Sequence, residues 1–308
     1  MKVDVCIPVY KPEDEFYSLM RRLSRQSVRI STLRIVNTCE EFWKDDFLSD
    51  IRDAGIAVSL KHITKEMFDH GRVRDMMARE SDADYLLFMT QDAIPADTHL
   101  IERLMDGFTR GKVASCYARQ LPKKGCAPLE KMSRIFNYPK TSVLKSGEDL
   151  ESMGIKTFFC SNVCAMYNRE IYLALGGFPT KTIFNEDMIF ARGVIDAGFM
   201  ISYCADARVY HSHNYTLKQY CRRSFDMAVS QAMYPDVFSG ISSESEGMKL
   251  VKAVSRKLLG RGDILGECRF VVQCFAKYLG YFLGKRYKKL PHKMVIFLSD
   301  NKHFWKNE

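Results

Sequence analysis

The 308-residue chain carries neither a G-x-G-x-x-G fingerprint nor a Walker loop, which counts against a dinucleotide enzyme and a P-loop NTPase. It has no C-x-x-C pair. Its ten cysteines are scattered, Cys160 and Cys164 are four apart, and several lie inside apolar strands (Cys6, Cys116, Cys204). That usage describes reduced, mostly buried thiols and argues against a disulfide frame or a cysteine zinc site. There is no internal repeat, no low-complexity tract and no signal peptide. Met1-Lys2-Val3-Asp4 leads straight into a strand, which predicts a cytoplasmic protein. One apolar stretch, residues 270–284, is fifteen long with Lys277 inside it, whereas a membrane span needs about twenty apolar residues.

Apolar residues make up 46% of the chain and charged residues 27%, ordinary for a large α/β domain with an appendage. The net charge of +9 is uneven. Residues 249–293 hold twelve lysines and arginines against Asp263 and Glu267, a local balance of +10, so the remainder sums to about −1. Such a segment attracts phosphate-rich partners, either nucleic acid or an anionic membrane. Within it Phe270, Val271, Cys274, Phe275, Tyr278 and Phe282 recur at helical spacing. The helix this predicts either lies in a membrane surface, with Lys285, Arg286, Lys288 and Lys289 reaching headgroups, or packs its apolar face on the protein's own core or a second copy of the chain.

The first half alternates strand and helix. Strands are expected at 2–9, 33–36, 56–60 and 85–89, and helices at 13–26, 42–54 (stopped by Gly55) and 70–81. This order implies a mostly parallel α/β sheet with helices on both faces. Later come a strand at 113–118, an irregular stretch rich in Lys, Pro and Ser at 120–150, and an apolar run at 157–167. A helix at 185–197, strands at 200–203 and 208–210, and a helix at 216–233 follow. A polar linker at 239–247 then leads to the basic region. The division expected is 1–238 and 239–308.

In an open α/β sheet, ligands bind at the carboxyl ends of parallel strands. Pro8-Val9-Tyr10, Asn37-Thr38, His70-Gly71 with Arg72 and Arg74, and Thr90-Gln91-Asp92 all fall at such ends or open the following helix. In the last cluster an apolar strand stops abruptly in three polar residues, Pro95 closes the turn, and Asp97 is placed to cap a helix. Asp92 then stands where a ligand or metal would sit, although capping of a turn accounts for an aspartate there equally well. Asn185-Glu186-Asp187 opens a helix, where acids complement the dipole. His211 and His213 point to one side of an extended segment and can serve a metal.

Taken as a set, Ile7-Pro8-Val9-Tyr10, Phe88-Met89-Thr90-Gln91-Asp92-Ala93, Asn185-Glu186-Asp187 and His211-Ser212-His213-Asn214 resemble the family 2 glycosyltransferases. Within them the set is most similar to the bacterial rhamnosyltransferases, over residues 2–235. The resemblance implies a GT-A fold: a Rossmann-like, mostly parallel central sheet flanked by helices, here with a C-terminal helical extension. It implies an inverting transfer from a nucleotide-diphosphate sugar, dTDP-L-rhamnose, with a divalent cation (Mn²⁺ or Mg²⁺). The acceptor would be a glycan or lipid-linked glycan for a cell-wall or surface polysaccharide, and the enzyme would sit at the inner face of the cell membrane. By the same resemblance Pro8, Tyr10, Asn37 and Thr38 border the nucleotide, and Arg74, Thr90 and Gln91 belong to the donor site. Asp92 is a metal ligand, completed by His211 or His213. Asp187 is the catalytic base and Glu186 orients the acceptor. Two positions depart from the pattern: Thr90 stands for the first acid of the D-x-D motif, and Asn37-Thr38 for an acid near the base.

Three rivals follow from the residues. A UDP-sugar-dependent transferase of the same family shares every motif. A sugar-nucleotide nucleotidyltransferase needs a Gly-rich, Lys-containing loop after its first strand, and Pro8-Val9-Tyr10-Lys11-Pro12 has no glycine. A nucleic-acid-binding protein leaves the Asp and His clusters at strand ends without a purpose.

Overall fold

The computed structural model describes residues 1–239 and 243–307. The first half runs β1 (Val3–Tyr10), α1 (Asp14–Leu23), β2 (Thr32–Thr38), α2 (Ser49–Asp53), β3 (Ala57–Ile63), α3 (His70–Arg79) and β4 (Tyr85–Met89). These four strands are parallel, in the order β3-β2-β1-β4. β1 is central, and its Val3, Val5, Cys6 and Ile7 are fully buried, as a strand covered on both faces requires. Asp69 caps α3 by accepting from the backbone N–H groups of Gly71 and Arg72.

The chain continues through β5 (Ile94–Pro95), α4 (Leu100–Asp106), β6 (Val113–Leu121), α5 (Pro128–Asn137), β7 (Val143–Lys145), α6 (Leu150–Met153), β8 (Cys164–Asn168), α7 (Arg169–Ala174), α8 (Glu186–Asp196) and β9 (Met200–Tyr210). β8 lies antiparallel between β4 and β6, β9 runs parallel to β6, and β5 and β7 pair antiparallel with β9. The sheet is therefore parallel in one half and mixed in the other. One apolar core, with Phe16, Leu19, Ile51 and Leu104, lies on one face. A second, with Val73, Phe88, Tyr172 and Phe190, lies on the other.

Four local expectations are corrected. Residues 42–54 form two 3₁₀ turns and the short α2, because Trp43 and Phe47 turn inward against Phe16 at 6.0 and 5.4 Å between ring centroids. Asp97 does not cap α4, whose N-cap position is His99. Its carboxylate instead binds Arg103 at 2.7 Å and Arg208 at 2.9 Å. The stretch expected to be irregular contains α5 and β7. Pro128 pre-sets the first turn of α5, and Leu129 and Met132 pack against Val254, Leu258 and Phe270 of the distant tail. The two strands expected near 200 and 210 are one, β9, with a register shift opposite Ala118–Arg119.

The tail holds α9 (Leu217–Met233), α10 (Pro235–Phe238), α11 (Ser243–Leu259), α12 (Ile264–Gly284) and α13 (His292–Leu298). The expected linker thus gives way to helix at Ser243, while residues 240–242 of it lie outside the described residues. α12 packs closely on α9. A Cβ at Gly280 would meet the Cys221 carbonyl oxygen at 2.0 Å, and one at Gly284 the Phe225 carbonyl oxygen at 2.3 Å. The apolar face expected on α12 divides in two. Phe270 is buried against Val254 and Leu258, whereas Val271, Phe275, Tyr278 and Phe282 form an exposed stripe, with Phe275 64% and Tyr278 59% accessible. Lys285, Arg286, Lys288 and Lys289 at its end are exposed. Among the described residues no helix is long and apolar enough to cross a membrane.

Candidate active site

The ends of β1 and β4, the segment after β9 and the start of α8 enclose a cleft of about 900 Å³ and an adjoining one of about 610 Å³. Pro8, Tyr10, Gln91 and Lys123 line the first. Asn162, Glu186, Asp187 and His211 line the second. Arg74, Thr90, Asp92, His213 and Arg223 line both, and so mark the boundary between them.

Asp92, His211 and His213 meet at that boundary. The Asp92 Oδ2 atom is 3.4 Å from His211 Nε2 and 3.3 Å from His213 Nε2, and the two imidazole nitrogens are 3.0 Å apart. The sequence left open which histidine faces Asp92; both do. His211 Nδ1 faces Gln120 Oε1 at 2.9 Å, and the same oxygen accepts from Arg134 Nη1. An oxygen that accepts from a guanidinium also accepts from the ring, which places the imidazole proton on Nδ1 and leaves the Nε2 lone pair toward Asp92. Burial pushes the His211 pKa down to about 3, so the ring is neutral. Burial raises the Asp92 carboxyl, but the cationic surroundings, with the Lys123 ammonium at 3.6 Å, outweigh it and hold the group below its ordinary range. Two neutral imidazoles and one carboxylate with converging donor atoms fit a divalent cation, and the imidazoles fit Mn²⁺ better than Mg²⁺.

Glu186 and Asp187 open α8 across the cleft. Asn185, just before them, adopts the left-handed conformation (φ 63°) and ties its side chain to the Met227 carbonyl at 3.2 Å. Among the described residues the other non-glycine positions with positive φ, Lys11 and Cys39, follow β1 and β2 at the same end of the sheet. Asp187 accepts from the backbone N–H of Asn162 at 3.2 Å and of Met188 at 2.8 Å. Burial, reinforced by the Glu186 charge, raises its pKa to about 7. Glu186 goes the other way. Burial raises it, but Arg74 at 3.3 Å, His70 and the Asn162 amide together hold it low.

On the donor side the structure sorts the expected residues. Pro8 and Tyr10 line the cleft. Gln91 lines it too, yet its amide is spent on Tyr10, donating to the carbonyl at 2.9 Å and accepting from the N–H at 2.7 Å, so it clips β1 to β4. Asn37 and Thr38 are not brought to the cleft. They are buried in the sheet, where Asn37 bonds the Cys39 carbonyl and His62. Arg74 is buried, its Nη1 donates to the His70 carbonyl at 3.0 Å, and its Nε has no partner among the described residues.

Sequence reasoning missed Asn162, Gln120, Arg134, Lys123 and Arg223. None sits in a recognisable motif. Arg223 comes from the middle of α9 and reaches both clefts while packed over the rings of Tyr215 and Phe184. A helix of mixed polarity was the one available signal, since a polar residue turned inward needs a partner or a ligand.

A parallel-to-mixed α/β sheet with a cation-type donor set at its strand ends and a half-buried, proton-avid carboxylate in the same cleft is the layout of an enzyme that moves a group off an anionic leaving group. Solved structures agree on the fold. The mannosyltransferase PcManGT from Pyrobaculum calidifontis, in complex with GDP-Man and Mn²⁺, aligns with a TM-score of 0.58 at 13% identity, covering 100% of this chain and 88% of its own. S. aureus TarS 1–349 in complex with UDP aligns at 0.55 and 12%, covering 100% and 90%. Residues 4–176 match the family model Glycosyl transferase family 2, and the chain belongs to that family. Two Salmonella proteins are close in sequence. The O-antigen chain rhamnosyltransferase RfbN of Salmonella typhimurium is 36% identical over 311 residues, covering 100% of this chain and 97% of its own length. The O-antigen chain rhamnosyltransferase WbaN of Salmonella anatum is 39% identical over 249 residues, covering 80% and 78%.

Proposed function

We propose that the protein is an inverting rhamnosyltransferase that moves L-rhamnose from dTDP-L-rhamnose to a lipid-linked glycan at the cytoplasmic face of a membrane, in surface-polysaccharide synthesis. The observation that carries the mechanism is that Asp187, half-buried and proton-avid, lines the same cleft as Asp92, His211 and His213. Those three residues would hold a divalent cation, which when bound neutralises charge on the departing diphosphate. Arg74 and Arg223 add fixed positive charge on both sides of the boundary. Asp187 takes the proton of the attacking acceptor hydroxyl. Glu186 is ionised but engaged by the Arg74 guanidinium and the Asn162 amide, so it is not free to act as a second nucleophile, and one displacement with inversion is the chemistry these side chains support. Identity to two proteins named rhamnosyltransferases supports the donor. The exposed stripe of α12 beside its basic end supports peripheral contact with an anionic bilayer.

A panel of nucleotide sugars with Mn²⁺ tests the donor by thermal stabilisation, which grows with ligand excess over Kd. dTDP-L-rhamnose should stabilise most and release dTDP. A larger shift with a UDP- or GDP-sugar would reassign the donor.

A further inference from the structure

Residues 161–163 form a turn that touches three parts of the site. The Val163 carbonyl accepts the Thr90 N–H at 3.1 Å, at the strand end that carries Asp92. Ser161 Oγ accepts from Gln120 Nε2 at 3.1 Å, and the other end of that amide faces His211. Asn162 looks the opposite way. Its N–H reaches Asp187 Oδ2 at 3.2 Å and its Nδ2 donates to Glu186 Oε1 at 3.0 Å. The Glu186 carboxylate can only accept, which fixes the direction of the amide, and the buried Tyr167 hydroxyl donates to Asn162 Oδ1 at 2.8 Å. Behind the turn, the buried Lys145 ammonium donates to the carbonyls of Lys156, at 3.0 Å, and Phe159.

A buried asparagine is costly unless its amide is satisfied, and here both ends of the amide are satisfied, one of them by a site carboxylate. An apolar residue would fill the same space. We propose that the 161–163 turn sets the spacing between the metal centre and the base, with Asn162 as the positioning residue for the Glu186–Asp187 pair. The inference rests on the reading of Asp187 as base. Apart from Asn162, the groups whose charge or hydroxyl faces Asp187 are Glu186 beside it, Arg74 on α3, Tyr138 after α5, and Cys160 and Tyr167 behind the turn.

The test uses the full chain with Mn²⁺ and dTDP-L-rhamnose, water serving as the acceptor of the rhamnosyl group, and two variants. Asn162→Ala deletes the amide. Asn162→Asp keeps its shape but replaces the donor with a third carboxylate. Titration of Asp187 is followed by carboxyl ¹³C NMR, assigned with Asp187→Asn. Asn162→Ala should keep the circular dichroism spectrum and bind Mn²⁺–dTDP within about twofold of wild type, while dTDP release at saturating donor falls about tenfold or more. Asn162→Asp should move the Asp187 titration upward by about one pH unit or more, because like charges sharing a site disfavour ionisation. An unmoved Asp187 titration, or release within about twofold of wild type in both variants, overturns the inference. Equal losses of Mn²⁺–dTDP affinity and rate also overturn it, since the turn would then only hold the fold together. If Asp187→Asn alone keeps the wild-type rate, the reading of the base fails, while a shifted Asp187 titration in Asn162→Asp still supports the positioning role.

Discussion

Glu186 and Asp187 are neighbours in the chain and opposites in proton affinity. Glu186 is buried and Asp187 half-buried at the start of α8, yet Glu186 is held low, chiefly by Arg74, while the Asp187 carboxyl is raised to about 7 by its loss of solvent and by the charge of Glu186 itself. The fixed negative charge of one gives the other a proton affinity matched to neutral pH.

Asp187→Asn should lower turnover by roughly 10²-fold or more and leave Mn²⁺–dTDP affinity nearly unchanged. Wild-type rate should rise with pH through an acid limb near 7, since the working form is the carboxylate. Stability runs the other way. The folded-state pKa lies above the ordinary 3.8, so the folded protein holds this proton between about 4 and 7 and loses stability as pH climbs through that window. His70 and His211, shifted downward to about 4 and about 3, push total stability in the opposite direction over part of the same range. The check is therefore a difference: in urea melts, the gain of Asp187→Asn over wild type should grow from pH 4 to pH 7. A constant difference would mean that the carboxyl titrates normally.

For the metal centre, Mn²⁺ should bind more tightly than Mg²⁺, because imidazole nitrogens are poor partners for a cation that prefers all-oxygen shells. Asp92→Asn should weaken Mn²⁺-dependent donor binding and keep the fold. Free Mn²⁺ followed by electron paramagnetic resonance gives both answers. Wild-type Mn²⁺ affinity in Asp92→Asn would remove the aspartate from the ligand set.

At the surface, Phe275→Glu with Tyr278→Ser should abolish flotation with anionic liposomes while leaving the thermal midpoint nearly unchanged, because both side chains are exposed. Each basic residue near such a surface contributes about 1 kcal/mol, so high salt should weaken wild-type binding as well. If the double variant floats as wild type does, another surface makes the contact. If the wild type does not float at either salt concentration and the variant changes its sedimentation, the stripe joins two copies of the chain.

Gly280→Val should destabilise the protein by about 1–3 kcal/mol, since any Cβ there collides with backbone that has nowhere to go. Chemical denaturation measures it. A neutral result would show that α12 is free to lift from α9.

Much of the frame is legible in the residues. Val3 to Val9 and Tyr85 to Met89 read as buried strands because little but apolar residues can sit there, and Asp92 reads as a strand-end ligand because the apolar run stops so sharply before it. What escaped is what depends on distant partners. The helix α5 is invisible until Leu129 meets Phe270 through the tail, and Asn162 is an ordinary polar residue until the fold brings Glu186 and Asp187 to it. Asn37 illustrates the reverse error. It stands at a strand end, where ligands are expected, but its side chain is buried in the sheet and its amide nitrogen is turned to the Cys39 carbonyl and His62.

The two glycines that seat α12 on α9 also fix a height. α9 carries Arg223 into the clefts, and α12 presents its exposed stripe, so the distance from stripe to cleft is set by backbone contact at Cys221 and Phe225. On a bilayer, that distance would act as a ruler. Acceptors whose reactive hydroxyl stands at the matching number of sugars above the lipid would reach Asp187, and shorter or longer ones would not. A series of lipid-linked acceptors of graded glycan length should then show an optimum, and a flat response would mean that the enzyme selects its acceptor by local contacts alone.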